Sequence, residues 1–206
     1  MTQFAHDALG PGQQAPEFEL PAADAGGTVT LAEYLHRGPV LLIMLRGLYC
    51  PYCRRHISQL RPACEALRDF GIAILGVLVV SPERARQYFN HFPACFPMVA
   101  APDHAVHRAY GLPELAKTPE WTQESERRAS DILREEGLEV PSGQARSTFR
   151  ASDGFEVTPE DLARQNRPTS YAIGHFLIGR DGLIRWARAD PVMVPLPDAN
   201  ELSSLV

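Results

Sequence analysis

The sequence predicts an α/β protein whose sheet is covered on both faces, and three observations carry that reading. Val40-Leu41-Leu42-Ile43-Met44-Leu45 is an unbroken apolar run between Gly38-Pro39 and Arg46-Gly47, as a strand buried on both faces requires. Beyond it the period changes. Cys53, Ile57, Leu60, Cys64 and Leu67 recur at three- and four-residue steps, with Arg54, Arg55, Gln59, Arg61 and Arg68 opposite, which is the pattern of an amphipathic helix. Residues 73–80 then repeat the event: an apolar strand leads to Ser81-Pro82-Glu83, an N-cap with Pro at the first helical position. Strands alternating with helices place helices on both sides of one sheet.

Taken in order, Pro16-Glu17-Phe18-Glu19-Leu20 alternates like a half-buried strand, Gly26-Gly27 turns, and Thr28-Val29-Thr30-Leu31 is a second short strand before a helical turn ending at His36. The buried strand, the helix after it, the second buried strand and a helix to about His91 follow. Met98-Val99-Ala100 is a short strand, and Asp103 caps a helical turn that ends at Tyr110-Gly111. His104 and His107, one turn apart with no matching acid or thiol cluster, read as solvated helix residues. From about residue 112 to 170 the chain becomes charged and broken. Thr118-Pro119-Glu120 starts a helix ending at Gly137, with Glu124 and Arg128 as an i, i+4 pair. Thr158-Pro159-Glu160-Asp161 starts another, and residues 141–154 between them read as loop. This is an insertion over one end of the sheet, with Trp121 read as its packing anchor, a lid residue over the dithiol being the alternative. His175-Phe176-Leu177-Ile178, the turn Arg180-Asp181-Gly182, and Leu183-Ile184-Arg185-Trp186-Ala187 close the chain as a β-hairpin.

Chemistry concentrates where the first buried strand meets its helix, at Cys50-Pro51-Tyr52-Cys53. Pro51 at N1 makes Cys50 the N-cap, so a thiolate there could accept from the free amides of Tyr52 and Cys53 at the positive end of the helix. Arg46, Arg54 and Arg55 add positive charge, and the nearest carboxylates along the chain are Glu33 and Glu65. Cys50 is therefore the expected low-pKa nucleophile and Cys53, one turn on, the thiol within disulfide reach. A zinc site would continue through His56, but a fourth ligand is missing from the sequence around it, Cys64 lying about 16 Å along a straight helix from Cys53. Cys64 falls on the apolar face and reads as a core residue. Cys95, in a Pro-bounded connection, reads as packing, with a second resolving role left open.

The chain has 206 residues, 45% apolar and 22% charged, enough for one substantial core: a single domain over residues 1–206 with the insertion at about 112–170. A net charge of −5 and a pI near 5.8 speak against a nucleic-acid surface. Residues 1–14 show neither a basic start nor an apolar stretch and no run reaches membrane-spanning length, so the expectation is a cytoplasmic protein without signal peptide or membrane partner. In a reducing compartment paired cysteines are usually catalytic or metal-binding rather than structural.

Residues 12–20, 28–34, 40–55 and 176–186 together resemble the alkyl hydroperoxide reductase/thiol-specific antioxidant (peroxiredoxin-like, AhpC/TSA) branch of the thioredoxin superfamily. The stretch Arg46-Gly47-Leu48-Tyr49-Cys50-Pro51-Tyr52-Cys53 is similar to its Arg-Gly-x-aromatic-Cys-Pro-Tyr-Cys form, and Pro102-Asp103 through Tyr110-Gly111 matches its Asp-before-helix and Tyr-Gly ending. The resemblance implies a thioredoxin-like three-layer sandwich with a central mixed sheet. It also implies Cys50 as the cysteine that attacks peroxide or disulfide and Cys53 as its partner, with Arg46, Tyr49 and Tyr52 about the substrate. Peroxiredoxins place Pro seven and Thr three residues before the attacking cysteine; here those positions are Ile43 and Gly47. Thioredoxins place a cis-proline before the hairpin strand, and Tyr171-Ala172-Ile173-Gly174-His175 has none, while the fold would bring His175 near Cys50.

The resulting expectation is an antioxidant thiol oxidoreductase that reduces peroxides, disulfides or both through a Cys50/Cys53 dithiol–disulfide cycle. It needs no cofactor and no metal, and takes electrons from a thioredoxin- or glutathione-type thiol donor, with homodimerisation left open. Two alternatives use the same sulfurs: a general disulfide reductase with little peroxidase activity, and a non-enzymatic redox sensor or metal-binding thiol protein.

Overall fold

The computed structural model describes residues 8–23, 26–151, 153–191 and 196–206; the first seven residues of the segment expected to lack a leader lie outside the described residues. β1 (Glu19–Pro21) and β2 (Thr28–Thr30) pair antiparallel with Leu20 opposite Val29. Thr30 then caps α1 (Leu31–Leu35) through a reciprocal capping box with Glu33. The apolar run is β3 (Val40–Leu45), buried at every position. Its side chains alternate between two cores: Leu41, Ile43 and Leu45 face one, Val40, Leu42 and Met44 the other. Each fully buried aliphatic side chain there contributes about 1.5–3 kcal/mol.

The stretch read as one amphipathic helix is two, α2 (Pro51–Gln59) and α3 (Arg61–Asp69), broken at Leu60. Pro62 is the cause: it has no N–H for the Ser58 carbonyl four residues back, and its ring would clash there. The apolar stripe survives the break, because Cys53, Ile57, Leu60, Cys64 and Leu67 all enter the same core. Arg54, read as part of the solvated side, is buried at 2% exposure, because residues 150–155 cover that side of α2.

β4 (Ala73–Val79) leads through the Ser81 N-cap into α4 (Pro82–His91), followed by β5 (Met98–Ala101) and α5 (Ala105–Ala109). The stretch from residue 112 to 170 holds β6 (Glu114–Ala116), α6 (Pro119–Glu135), α7 (Ala145–Ala151) and α8 (Pro159–Gln165). It ends in β7 (Thr169–Tyr171), which pairs antiparallel with β6. The expected loop at residues 141–154 thus contains a helix. Its N-terminal amides at Ala145 and Arg146 are satisfied by the distant Glu126 carboxylate at 2.6 and 3.1 Å, a cap that sequence-local signals could not reveal. Glu124 pairs with Arg127 rather than Arg128, since i, i+3 neighbours are equally close on a helix. β8 (Ile173–Ile178), β9 (Ile184–Asp190) and α9 (Ala199–Ser203) complete the described chain.

The main sheet runs β5-β4-β3-β8-β9. β3, β4 and β5 are parallel, and β8 and β9 join antiparallel, with Ile43 opposite His175. One face carries α2, α3, α4, α6 and α7, and the other Leu31 and Leu35 of α1 and Tyr110 after α5. This is the mixed α/β sandwich the sequence predicts. Among the described residues, no helix is long and apolar enough to cross a membrane.

Candidate active site

The end of the central strand sets the site. After Leu45 the backbone turns through Gly47 at φ 149°, a conformation L side chains rarely adopt. A Cβ there would come 2.8 Å from the Val79 carbonyl oxygen and 2.9 Å from the Tyr49 ring. The turn delivers Cys50 as the N-cap of α2 with Pro51 at N1. The Cys53 amide donates to Cys50 Sγ at 3.4 Å; of the two expected amides, this is the one that does.

Cys50 is buried, which by itself would raise its pKa. The hydrogen bond from the Cys53 thiol, the charge of Arg46, the Cys53 amide and the charge of Arg54 outweigh burial and bring it down to about 6. At neutral pH such a thiol is roughly nine-tenths thiolate. Cys53 moves the other way: burial, its hydrogen bond to Cys50 and the repulsion of a Cys50 thiolate hold it well above the ordinary thiol range. Two thiols one turn apart are thus pushed in opposite directions, Cys50 toward the thiolate and Cys53 toward the thiol, a difference that stepwise disulfide chemistry can use.

Cys50 opens on a cavity of about 120 Å³ lined also by Arg46, Tyr49, Tyr52, Trp121 and Ser170. The three residues expected about the substrate are therefore together. Arg46 is buried, its Nε donating to the Tyr171 carbonyl at 2.8 Å and its Nη2 to that of Pro191. Tyr49 Oη and Ser170 Oγ lie 3.4 Å apart, and burial pushes the Tyr49 phenol up to about 12, so it keeps its proton. Tyr52 donates its hydroxyl to the Ser125 carbonyl and packs at a tilt against Phe149, with ring centroids 5.0 Å apart. It fastens α6 and α7 to α2. Trp121 is half-buried on the cavity wall between the Arg46 and Arg146 guanidiniums, at 5.8 and 5.7 Å, rather than a core anchor.

Sequence reasoning missed the further cations of that wall, Lys117, Arg146 and Arg150. The available signal was Arg146 and Arg150 at i, i+4 spacing in a segment read as loop. It also missed the clamp at Arg54. That guanidinium donates to Asp153 at 2.5 and 3.0 Å, to the Leu48 carbonyl at 2.6 Å and to the Arg150 carbonyl at 3.2 Å, and lies 3.9 Å over the Phe155 ring. Breaking a buried ion pair costs about 3–5 kcal/mol, but Asp153 is 37% exposed, so screening reduces the figure. Arg54→Met is expected to lower unfolding stability by about 2–3 kcal/mol in urea titration. A loss below about 0.5 kcal/mol would mean the clamp does not hold the insertion down.

The histidines differ from expectation. The β3–β8 ladder ends at Met44, and the next carbonyl, Leu45, takes its hydrogen bond from His107 Nε2 at 3.1 Å. His107 is thus wholly buried rather than solvated, while His104 stacks on Tyr171 with centroids 4.3 Å apart. His175 meets His56, Nε2 to Nε2, at 3.1 Å, so its ring is paired on α2 beyond the dithiol instead of with Cys50.

A mixed sheet with helices on both faces, and a dithiol at the helix N-terminus after its central strand, defines a thioredoxin-like protein with a redox-type cysteine pair. The chain belongs to the AhpC/TSA family, whose model matches residues 11–138. Two Mycobacterium tuberculosis proteins with provisional peroxiredoxin names are each 30% identical over 103 residues, 50% of this chain and 64% of theirs. The match therefore spans less than two thirds of those relatives. The crystal structure of peroxidoxin BcpB from Mycobacterium tuberculosis is similar with a TM-score of 0.58 at 11% identity, covering 95% of this chain and 92% of that one. A reduced 2-Cys peroxiredoxin of Plasmodium vivax gives 0.59 at 13% identity, covering 93% and 78%. At such identities the likeness concerns the fold.

Proposed function

We propose that the chain is a thiol-dependent oxidoreductase cycling Cys50 and Cys53 between dithiol and disulfide. The observation that carries the reading is the N-capped Cys50 thiol, held at about 6 beside a Cys53 held protonated. With a hydroperoxide, the Cys50 thiolate attacks one oxygen, the O–O bond breaks, an alcohol or water leaves with a proton, and Cys50 becomes a sulfenic acid. Cys53 then attacks that sulfur, hydroxide leaves as water with the Cys53 proton, and the disulfide closes. With a disulfide substrate the first product is a mixed disulfide, and Cys53 expels the second substrate thiol. A thioredoxin- or glutathione-type thiol donor returns two electrons.

Disulfide exchange is expected to outpace peroxide attack, and Gly47 is the reason. A Thr hydroxyl three residues before the cysteine has no room in this turn, given the φ of 149° and the Val79 carbonyl at 2.8 Å from a Cβ. Orienting a peroxide falls to main-chain amides and Arg46, with Ser125 Oγ, unpartnered among the described residues, on the same cavity. Losing one hydrogen bond to a reacting charged group costs about 1.5–3 kcal/mol, roughly ten- to a hundredfold in rate. Stopped-flow oxidation of reduced protein by hydrogen peroxide, an organic hydroperoxide and a small disulfide is expected to give weak peroxidase rates beside competent disulfide reduction. Peroxide consumption at the rate of a specialised peroxidase would overturn that ranking and assign the missing hydroxyl's role elsewhere in the cavity.

A further inference from the structure

The other two cysteines form a second pair. Cys64, on α3, and Cys95, on the connection from α4 to β5, place their sulfurs 2.6 Å apart across 31 positions of sequence. Both are unbridged, and a disulfide, with S–S of about 2.05 Å, needs only a small further approach. Neither lines the Cys50 cavity. They share a separate cleft of about 260 Å³ with Gly71, Ala73 and Pro97, residues at the starting ends of β4 and β5. Cys50 follows the finishing end of β3, so the length of a six-residue strand separates the two sites, about 20 Å at ~3.3 Å per residue.

We propose that Cys64 and Cys95 are a second redox site, closing a reversible disulfide with a low-molecular-weight disulfide as oxidant, independently of Cys50 and Cys53. Cys95, only half-buried, meets the oxidant first. Its thiolate attacks one sulfur of the disulfide, the S–S bond breaks, and one thiolate leaves, giving a mixed disulfide on Cys95. Cys64 then attacks Cys95 Sγ, a new S–S bond forms, and the second thiol leaves with the Cys64 proton. The sum is two protein thiols and one small disulfide going to one protein disulfide and two small thiols. Burial, the hydrogen bond to Cys95 and repulsion from it push Cys64 up to about 12, so Cys64 suits the second step and not the first. The oxidised form ties α3 to the strand-entry side of β5, and the ring it closes constrains the unfolded chain.

The test uses the full-length protein equilibrated in buffers of stepped reduced-to-oxidised glutathione ratio, quenched by alkylation and mapped by mass spectrometry. A Cys64–Cys95 cross-linked peptide is expected, and its titration should be the same in the Cys50→Ser/Cys53→Ser variant. Oxidation of that variant should raise the thermal midpoint by about 5–15 °C, and adding Cys64→Ala to it should remove the rise; Cys64→Ala alone should leave the Cys50 oxidation rate unchanged. The proposal is overturned if Cys64 and Cys95 remain alkylatable at every ratio. It is equally overturned if Cys95 stops at a glutathione adduct, or if the bond appears only when Cys50 and Cys53 are present.

Discussion

Cys50→Ser is expected to reduce the first oxidation step by at least ~10³-fold with both peroxide and disulfide, since among the described residues no other thiol lines the cavity. Cys53→Ser should behave differently in kind: it keeps an attacking thiolate but traps it as a sulfenic acid or mixed disulfide visible by mass spectrometry. In the unaltered protein the first-step rate should rise with pH and level off above about 6, following ionisation of Cys50. Equal and complete loss of the first step in both variants would dissolve the division of roles. A disulfide joining Cys50 to Cys64 or Cys95 would remove Cys53 from the cycle.

Acid should destabilise the fold steeply. Burial is the main cause that lowers His56 to about 4 and His107 to about 3, and it carries His175, facing His56 and Arg188, well below the ordinary histidine range. Unfolded, these rings take up protons below about pH 6.5; folded, they do not, so stability is full above that pH and is lost as pH falls towards the folded values. Each ring contributes about 1.4 kcal/mol per pH unit in that window, so the three together give about 4 kcal/mol per unit between roughly pH 6 and 4. Urea midpoints at pH 7, 5.5 and 4.5 measure the slope. His107→Gln, which can still donate to the Leu45 carbonyl, should cut the slope by about a third. A midpoint flat between pH 7 and 4.5 would mean the rings are hydrated or charge without penalty.

The placement of the Cys50/Cys53 pair was legible because its signals are local. A C-x-x-C after a doubly buried strand, Pro at N1 and an anion-poor neighbourhood all lie within about a dozen residues, and the structure places Cys50 at the helix cap with Arg46, Tyr49 and Tyr52 on its cavity. The order of strands and helices was legible for the same reason, since hydrophobic period and caps report on a few residues at a time. The helix break at Leu60 was legible in principle too, because Pro62 stands in the sequence. The continuing apolar stripe concealed it.

Period, caps and spacing by themselves determined an α/β protein with a C-x-x-C pair at the start of the helix that follows a buried strand. What touches that pair from far along the chain only the tertiary structure decided. Arg54 looks like a solvated helix residue until Asp153 and the Arg150 carbonyl close over it. The α7 helix is capped by Glu126 from another helix, His107 is buried by a carbonyl 62 positions away, and Cys64 acquires its partner only because α3 and the entry to β5 meet. Period and capping encode the face a residue presents. Which distant group arrives at that face depends on how the layers pack, and no local pattern carries that information.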